Sequence, residues 1–179
     1  LIEVPTTSLK LDGMRLGTDR LDTPVPTQPV LLPSLEEALQ EMGYDVDSEI
    51  INMKLGDSTE EYKGRICLDG LELEHYVLGA SFESVAAAVR EADVVGLTSN
   101  FTYSSGIVRD FIGFVKKVNP TAKVVVGGSE ASIRYQYYLR AGADAVIMGD
   151  GELNGPLVID TLLNGSSLEG IARVAFIQE

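Results

Sequence analysis

The sequence has no tryptophan, one cysteine (Cys67) and one histidine (His75). A single cysteine excludes an internal disulfide, and it equally excludes a Cys-x3-Cys-x2-Cys iron–sulfur cluster or a thiolate zinc site built from this chain alone. His75 lies between Glu74 and Tyr76 in a strand-like run. A Ser-His-Asp arrangement or a metal site would have to use it as its lone imidazole, so it reads as structural. Basic residues are scarce: 14 Lys and Arg against 27 Asp and Glu leave a net charge of −13. That field opposes nucleic-acid phosphates and anionic membrane surfaces, so neither partner is expected. Lys116-Lys117 is the longest cationic cluster and reads as the solvated face of an amphipathic helix. No apolar run approaches the ~20 residues of a membrane span, and no charged-then-apolar leader is visible. A cytoplasmic, reducing setting is the expectation.

What is present is enough apolar content, 45% of 179 residues, for one core, and the chain reads as a single domain over 1–179. It starts at Leu1 on a strand-like run, which suggests a fragment excised from a longer protein. Leu1-Ile2-Glu3-Val4 gives a first strand, and the stretch 5–33, with Pro24, Pro26, Pro29 and Pro33, reads as a long loop. Ser34 and Glu37 form a capping box for a helix with Leu35, Ala38, Leu39 and Met42 on one face, ended by Gly43. Residues 46–53 read as a second strand, and 65–77 as a hairpin around Asp69-Gly70. From 83 onward the pattern is regular: helix 83–91, strand 93–98, helix 105–118, strand 123–127, helix 132–141, strand 144–148, helix 152–163 and a last apolar stretch 172–177. Val94-Val95-Gly96-Leu97, Val124-Val125-Val126 and Ala145-Val146-Ile147-Met148 are apolar throughout, as strands covered on both faces must be. The expected fold is a doubly wound, Rossmann-like α/β domain of flavodoxin type. It has a mostly parallel five-stranded sheet, helices on both faces and the small hairpin.

In such sheets ligands bind outside the carboxyl ends of the strands. Three loops there stand out. Thr98-Ser99-Asn100-Phe101-Thr102-Tyr103 offers hydroxyls, one amide and almost no charge, which suits a large neutral polar ligand. Gly127-Gly128-Ser129-Glu130 lets a partner approach the backbone, and Gly149-Asp150-Gly151-Glu152 is again open backbone, with two carboxylates. Each alone is also what a tight strand-to-helix turn needs; the three together at equivalent positions favour a ligand. Phosphate cradles do not fit: Gly149-x-Gly151-x-x-x-Gly155 misses the dinucleotide spacing by one residue, its carboxylates repel a pyrophosphate, and no P-loop is present. Glu36-Glu37 and Glu60-Glu61 read as solvated faces rather than acid/base pairs.

Ala92 to Ser99, Val124 to Ser132 and Asp144 to Glu152, in that order, resemble the cobalamin-binding domain that precedes the catalytic barrel in B12-dependent radical S-adenosylmethionine enzymes. The likeness covers 80–164 strongly and 30–53 more weakly. It implies that Thr98 and Ser99 help hold the nucleotide tail of the corrinoid, that Gly127 and Gly128 make room for it, and that 149–152 borders the same crevice. Many members of the family have a histidine where this chain has Glu130. The Asp-x-His-x-x-Gly motif that supplies a lower cobalt ligand in methionine synthase and mutase relatives is missing, since Leu73 and Leu78 flank His75 where Asp and Gly are required. The resemblance thus implies base-off cobalamin without a histidine beneath the metal, its lower face met by the 5–33 loop or by residues near Phe101 and Tyr103. It implies a chain that binds without catalysing. The partner is a radical SAM domain in the same parent protein, which holds S-adenosylmethionine and a 4Fe-4S cluster. That parent is a methyltransferase or a cyclase resembling the anaerobic magnesium-protoporphyrin IX monomethyl ester cyclase. Two alternatives stay open: a free-standing corrinoid carrier or sensor, and a flavodoxin-like nucleotide-binding or scaffold domain.

Overall fold

Parallel strands need crossovers long enough to hold a helix, and the alternation of apolar runs with amphipathic segments after residue 80 supplies them. The structure, a computed structural model, describes residues 2–3, 6–11, 14–16, 31–53 and 59–178. The strands and helices are β1 (Ile2–Glu3), β2 (Thr6–Leu11), β3 (Met14–Leu16), α1 (Leu31–Glu41), β4 (Ile51–Asn52), β5 (Thr59–Leu68), β6 (Leu71–Gly79), α2 (Ala86–Glu91), β7 (Val94–Thr98), α3 (Ser105–Val118), β8 (Lys123–Gly127), α4 (Ser129–Ile133), α5 (Tyr135–Arg140), β9 (Ala145–Ile147), α6 (Gly151–Leu163) and β10 (Val174–Ala175). Single 3-10 turns at Phe82–Val85 and Thr102–Ser104 lead into α2 and α3.

Among the described residues the main sheet has six strands in the order β10-β9-β8-β7-β1-β4. β4, β1, β7, β8 and β9 are parallel, and β10 pairs antiparallel with β9 at the edge. Numbered along the chain, the five parallel strands lie in the flavodoxin order 2-1-3-4-5, with the winding reversing between β1 and β7. The expected fold is therefore present, with the 172–177 stretch contributing a sixth strand.

Alternate residues sort onto two faces. Val95, Leu97, Val124, Val126 and Val146 pack with Val89, Phe111, Ile112, Val115 and Tyr138 of α2, α3 and α5. Val125, Ala145 and Ile147 pack on the opposite face with Val158 of α6 and Leu168. Phe111 is fully buried and meets Phe82 edge-on at 5.0 Å, a contact whose truncation costs about 3–5 kcal/mol. α1 packs against α6, where a Cβ on Gly155 would sit 2.6 Å from Leu35 Cδ2.

Several boundaries differ from the sequence pattern. α1 starts at Leu31 rather than at a Ser34 cap, because Pro33 is tolerated in a first turn whose N–H groups have no intrahelical partner. The strand expected over 46–53 is confined to Ile51–Asn52, since Asp45, Asp47 and Glu49 are exposed and carry no apolar face. The expected helix 132–141 is two helices broken at Arg134.

The largest difference is a second, four-stranded antiparallel sheet, β3-β2-β6-β5. Its hairpin turns at Asp69 and Gly70, with φ of 49° and 81°, the doubly positive geometry that an Asp-Gly pair signals. The hairpin runs from Thr59 to Gly79, longer than the expected 65–77. Two of the four strands fall inside the stretch expected to be loop, where the prolines outweigh the alternation of residues 6–11. Leu1, Val4, Pro5 and residues 17–30 lie outside the described residues. Both insertions leave the parallel sheet at its carboxyl edge, after β1 and after β4, and the Ala80 N–H donates to the Met53 carbonyl at 2.8 Å to close the neck. β2 then touches the Thr102–Ser104 turn after β7. No helix among the described residues is long and apolar enough to cross a membrane.

Candidate functional site

The reversal between β1 and β7 places the crevice beside the loop that follows β7. That loop is bolted to the turn after β8. Ser99 N–H donates to the Gly127 carbonyl at 2.8 Å, and the Ser99 carbonyl accepts from the N–H groups of Glu130 (3.1 Å) and Ala131 (3.2 Å). Asn100 Oδ1 accepts from Ser129 N–H at 3.2 Å, and Ser129 Oγ donates to the Asn100 carbonyl at 3.1 Å. Gly128, at φ 108°, makes this approach possible: a Cβ there would lie 2.4 Å from the Ser99 carbonyl oxygen.

Beneath the clamp, on the α3–α5 face, sits a closed polar cluster. Ser99, Glu130 and Tyr138 are 0%, 4% and 0% exposed. Ser99 Oγ donates to Glu130 Oε2 at 3.0 Å, the Tyr138 hydroxyl donates to the same oxygen, and the two hydroxyls lie 2.9 Å apart. Glu130 Oε1 is buried without a hydrogen-bond partner, and Arg134 Nη1 stands 3.6 Å from it while donating to Ser105 Oγ at 3.1 Å. Arg134 also lies over the Tyr137 ring, 4.4 Å from its centroid. Burial, then the bond to Glu130, push the Tyr138 hydroxyl well above the ordinary tyrosine value. The helix break at Arg134 is what allows this cluster. On one continuous helix residues 130 and 138 would be about 12 Å apart along the axis. Neither Tyr138 nor Arg134 was singled out by the sequence pattern, because the pairing depends on that break.

The α1–α6 face of the same edge is open instead. Thr98 and Gly127 are register partners, and Gly96 lies one step below Thr98 on the same side. All three are partly exposed, and a Cβ built on Gly127 would meet nothing within 4 Å. Small residues on adjacent strands thus leave a shallow slot between the sheet top and the helices of that face.

At the mouth, Phe101 and Tyr103 are 56% and 51% exposed, and their rings stack at 5.4 Å with 13° between planes. Thr102 is exposed beside them. The Gly149-Asp150-Gly151-Glu152 turn stands after β9, one strand beyond β8. Its described neighbour is Arg173, whose Nη1 would lie 3.4 Å from a Cβ on Gly149 and whose carbonyl accepts from Met148 N–H at 2.8 Å. The structure therefore joins loops 98–105 and 127–132 directly and sets 149–152 to one side. His75 lies on β6, opposite Leu9 and Gly64, and on none of the three loops. Among the described residues no group of three or more His, Cys, Asp or Glu could hold a metal ion.

A flavodoxin-type winding with an open slot at its carboxyl edge defines a doubly wound ligand-binding domain. The family model described as B12 binding domain matches residues 23–156, about three quarters of the chain, and the chain belongs to that family. Among solved structures, it is similar to the radical S-adenosylmethionine methyltransferase TsrM from Kitasatospora setae, solved with tryptophan substrate and an S-adenosylmethionine analogue. That match has a TM-score of 0.58 and 18% identity, and covers 84% of this chain and 26% of that one. It is also similar to the N-terminal domain of a hypothetical protein from Thermotoga maritima, with a TM-score of 0.45 and 18% identity over 74% of this chain and 81% of that one. The chain thus spans about a quarter of the methyltransferase's length. No curated protein matches it.

The residues present fit a corrinoid with a slim nucleotide tail. Beside Thr98, a Cβ on Gly127 would project into open space, and the polar loop at that edge carries hydroxyls and an amide rather than charge.

Proposed function

We propose that this chain is the cobalamin-binding domain of a B12-dependent radical SAM enzyme, holding base-off cobalamin without a histidine beneath the metal. The observation that carries the reading is the open space at Gly127, beside Thr98, at the carboxyl edge of a B12-binding domain. In this reading Thr98, Asn100, Thr102, Gly127 and Ser129 border the nucleotide tail. Gly149, Gly151 and Glu152 border the far side of the crevice. Ser99, Gly128 and Glu130 act from behind, fixing the two loops to each other. Bound cobalamin supplies a cobalt centre that accepts and releases a methyl group. The chain's own residues bind it, orient it and keep water from its tail.

The resemblance of the loops and the likeness to a radical SAM methyltransferase support a parent in which this domain adjoins a radical SAM domain. S-adenosylmethionine and a 4Fe-4S cluster would reside in that partner domain, because Cys67 alone cannot ligate a cluster. The test has two arms. Hydroxocobalamin added to the full-length protein should co-elute with it on gel filtration, and methylcobalamin should show the base-off shift of its visible band. Absence of any retained corrinoid overturns the reading. In the parent gene, a Cys-x3-Cys-x2-Cys motif after Glu179 is expected; its absence favours a corrinoid carrier instead.

A further inference from the structure

Resting on the corrinoid reading above, we infer that Arg173 is the anion anchor of the crevice, its guanidinium taking the phosphodiester that joins the nucleotide tail to the corrin ring's side arm. A corrinoid with its tail carries a negative charge there, and the loops that border the tail in this reading have nothing to meet it. Thr98 to Ser105 holds no charged residue, Gly127 to Ser132 holds only the buried Glu130, and Gly149 to Glu152 holds two carboxylates. Arg134 belongs to the sealed face, where it donates to Ser105 Oγ and stands beside Glu130. Arg173 is exposed, and among the described residues its side chain makes no hydrogen bond or ion pair.

Its backbone is the second sign. Arg173 stands at φ 58°, in the left-handed region; the other described non-glycine residue there is Asp69, in a hairpin turn. Glycine enters that region freely, a Cβ makes it costly, and such strain persists only where the surroundings over-determine it. Here they do. The Arg173 carbonyl accepts from Met148 N–H at 2.8 Å, Asn154 Nδ2 of α6 donates to the Ala172 carbonyl at 3.1 Å, and Leu168 and Ile171 pack into the core on the α6 face. Glycine would close the same turn without strain, so the fold alone gives no reason for a long cationic side chain at this position.

The side chain reaches back over the carboxyl end of β9, where its Nη1 and Cδ would lie 3.4 and 3.6 Å from a Cβ on Gly149. β9 is the neighbour of β8, one strand spacing of about 4.8 Å away, and β8 ends at Gly127, where the open space lies. With Val126 opposite Val146, Gly149 stands two residues further out than Gly127. A tail whose base lies beside Thr98 and Gly127 brings its phosphodiester, which stands between base and ring, out to the level of Arg173. The planar fork of a guanidinium can donate two parallel N–H bonds to the free oxygens of that group. Asp150 and Glu152 share the turn but form no ion pair with Arg173. Glu152 lies in the first turn of α6, where the helix end already favours a carboxylate. The guanidinium is therefore left for a ligand.

The test measures the affinity of the full-length protein for cobalamin, cobinamide phosphate and cobinamide, the last having neither base nor phosphate. Arg173→Gly removes the charge and relieves the backbone. It should keep or raise the thermal midpoint while weakening cobalamin and cobinamide phosphate about tenfold, as the loss of a charge-assisted hydrogen bond requires. Cobinamide binding should not change. In the unaltered protein the advantage of cobinamide phosphate over cobinamide should shrink with added salt, and in the variant it should be absent. Arg173→Lys, which keeps the charge without the fork, should fall between the two. If R173G binds cobinamide phosphate as tightly as the unaltered protein, or loses cobinamide to the same extent as a purely structural residue would, the anchor is overturned while the domain reading stands. If no corrinoid binds the unaltered protein, the domain reading falls and the anchor with it.

Discussion

The two sides of the carboxyl edge are built to opposite ends. On the α3–α5 side, Ser99, Glu130 and Tyr138 are sealed, mutually bonded and covered by two short helices. On the α1–α6 side, Gly96, Thr98 and Gly127 are partly exposed, and a Cβ on Gly127 would meet nothing within 4 Å. Thr98, the last residue of β7, and Ser99, the next along the chain, face these opposite environments. A polar residue after a parallel strand is therefore no sign of ligand contact in itself. Its parity along the strand decides whether it meets a ligand or holds the loop that does.

Substitutions on the two sides should separate folding from binding. The largest effect is expected for Gly128→Val. It forces a Cβ into the Ser99 carbonyl at a positive φ and should cost about 3 kcal/mol or more in urea unfolding, with corrinoid retention lost as a consequence. Glu130→Ala leaves two buried hydroxyls without their acceptor, and should lower stability by about 1–3 kcal/mol in the same assay. Gly127→Leu, immediately before Gly128, should shift the urea midpoint little. Its expected tenfold or greater loss of cobalamin affinity, read by equilibrium dialysis, corresponds to about 1.4 kcal/mol. A large stability loss at Gly127 would collapse the distinction between the two sides.

The smallest effect concerns pH. The folded-state Tyr138 hydroxyl titrates above its ordinary value of 10.0, so its contribution to stability is complete below pH 10. Above that, the unfolded chain releases the proton first, and stability falls as pH rises toward the folded-state value. Tyr138→Phe should cost about 1 kcal/mol at neutral pH and flatten the decline above pH 10, as followed by thermal melts across pH.

Much of the main sheet is legible in the sequence because its signals are local. Lys123–Gly127 and Ser105–Val118 emerge with the bounds their apolar runs and amphipathic spacing suggest, and Asp69-Gly70 makes the turn its pair implies. The signals that fail are not local. The segment 6–11 becomes a strand because β6, far along the chain, offers it a partner, and the contact of the Glu130 carboxylate with the Tyr138 phenol exists only because the helix breaks at Arg134. The three candidate loops were visible from their glycines and hydroxyls. The sorting of Ser99 and Glu130 inward was not, since it depends on Tyr138 arriving from another helix.

The inserted sheet also joins one local pairing to one long-range pairing. Its β5–β6 hairpin is contiguous and closes through a tight turn, so it can form on the microsecond scale by itself. β2 joins by pairing Thr6 with Leu78, a long-range contact beside the alignment of β1 with β4 in the other sheet. The two pairings close much the same long connection, so each lowers the loop-closure entropy cost of the other. The strand beside the Thr102–Ser104 turn thus depends on a long-range pairing and not on a hairpin of its own with β6.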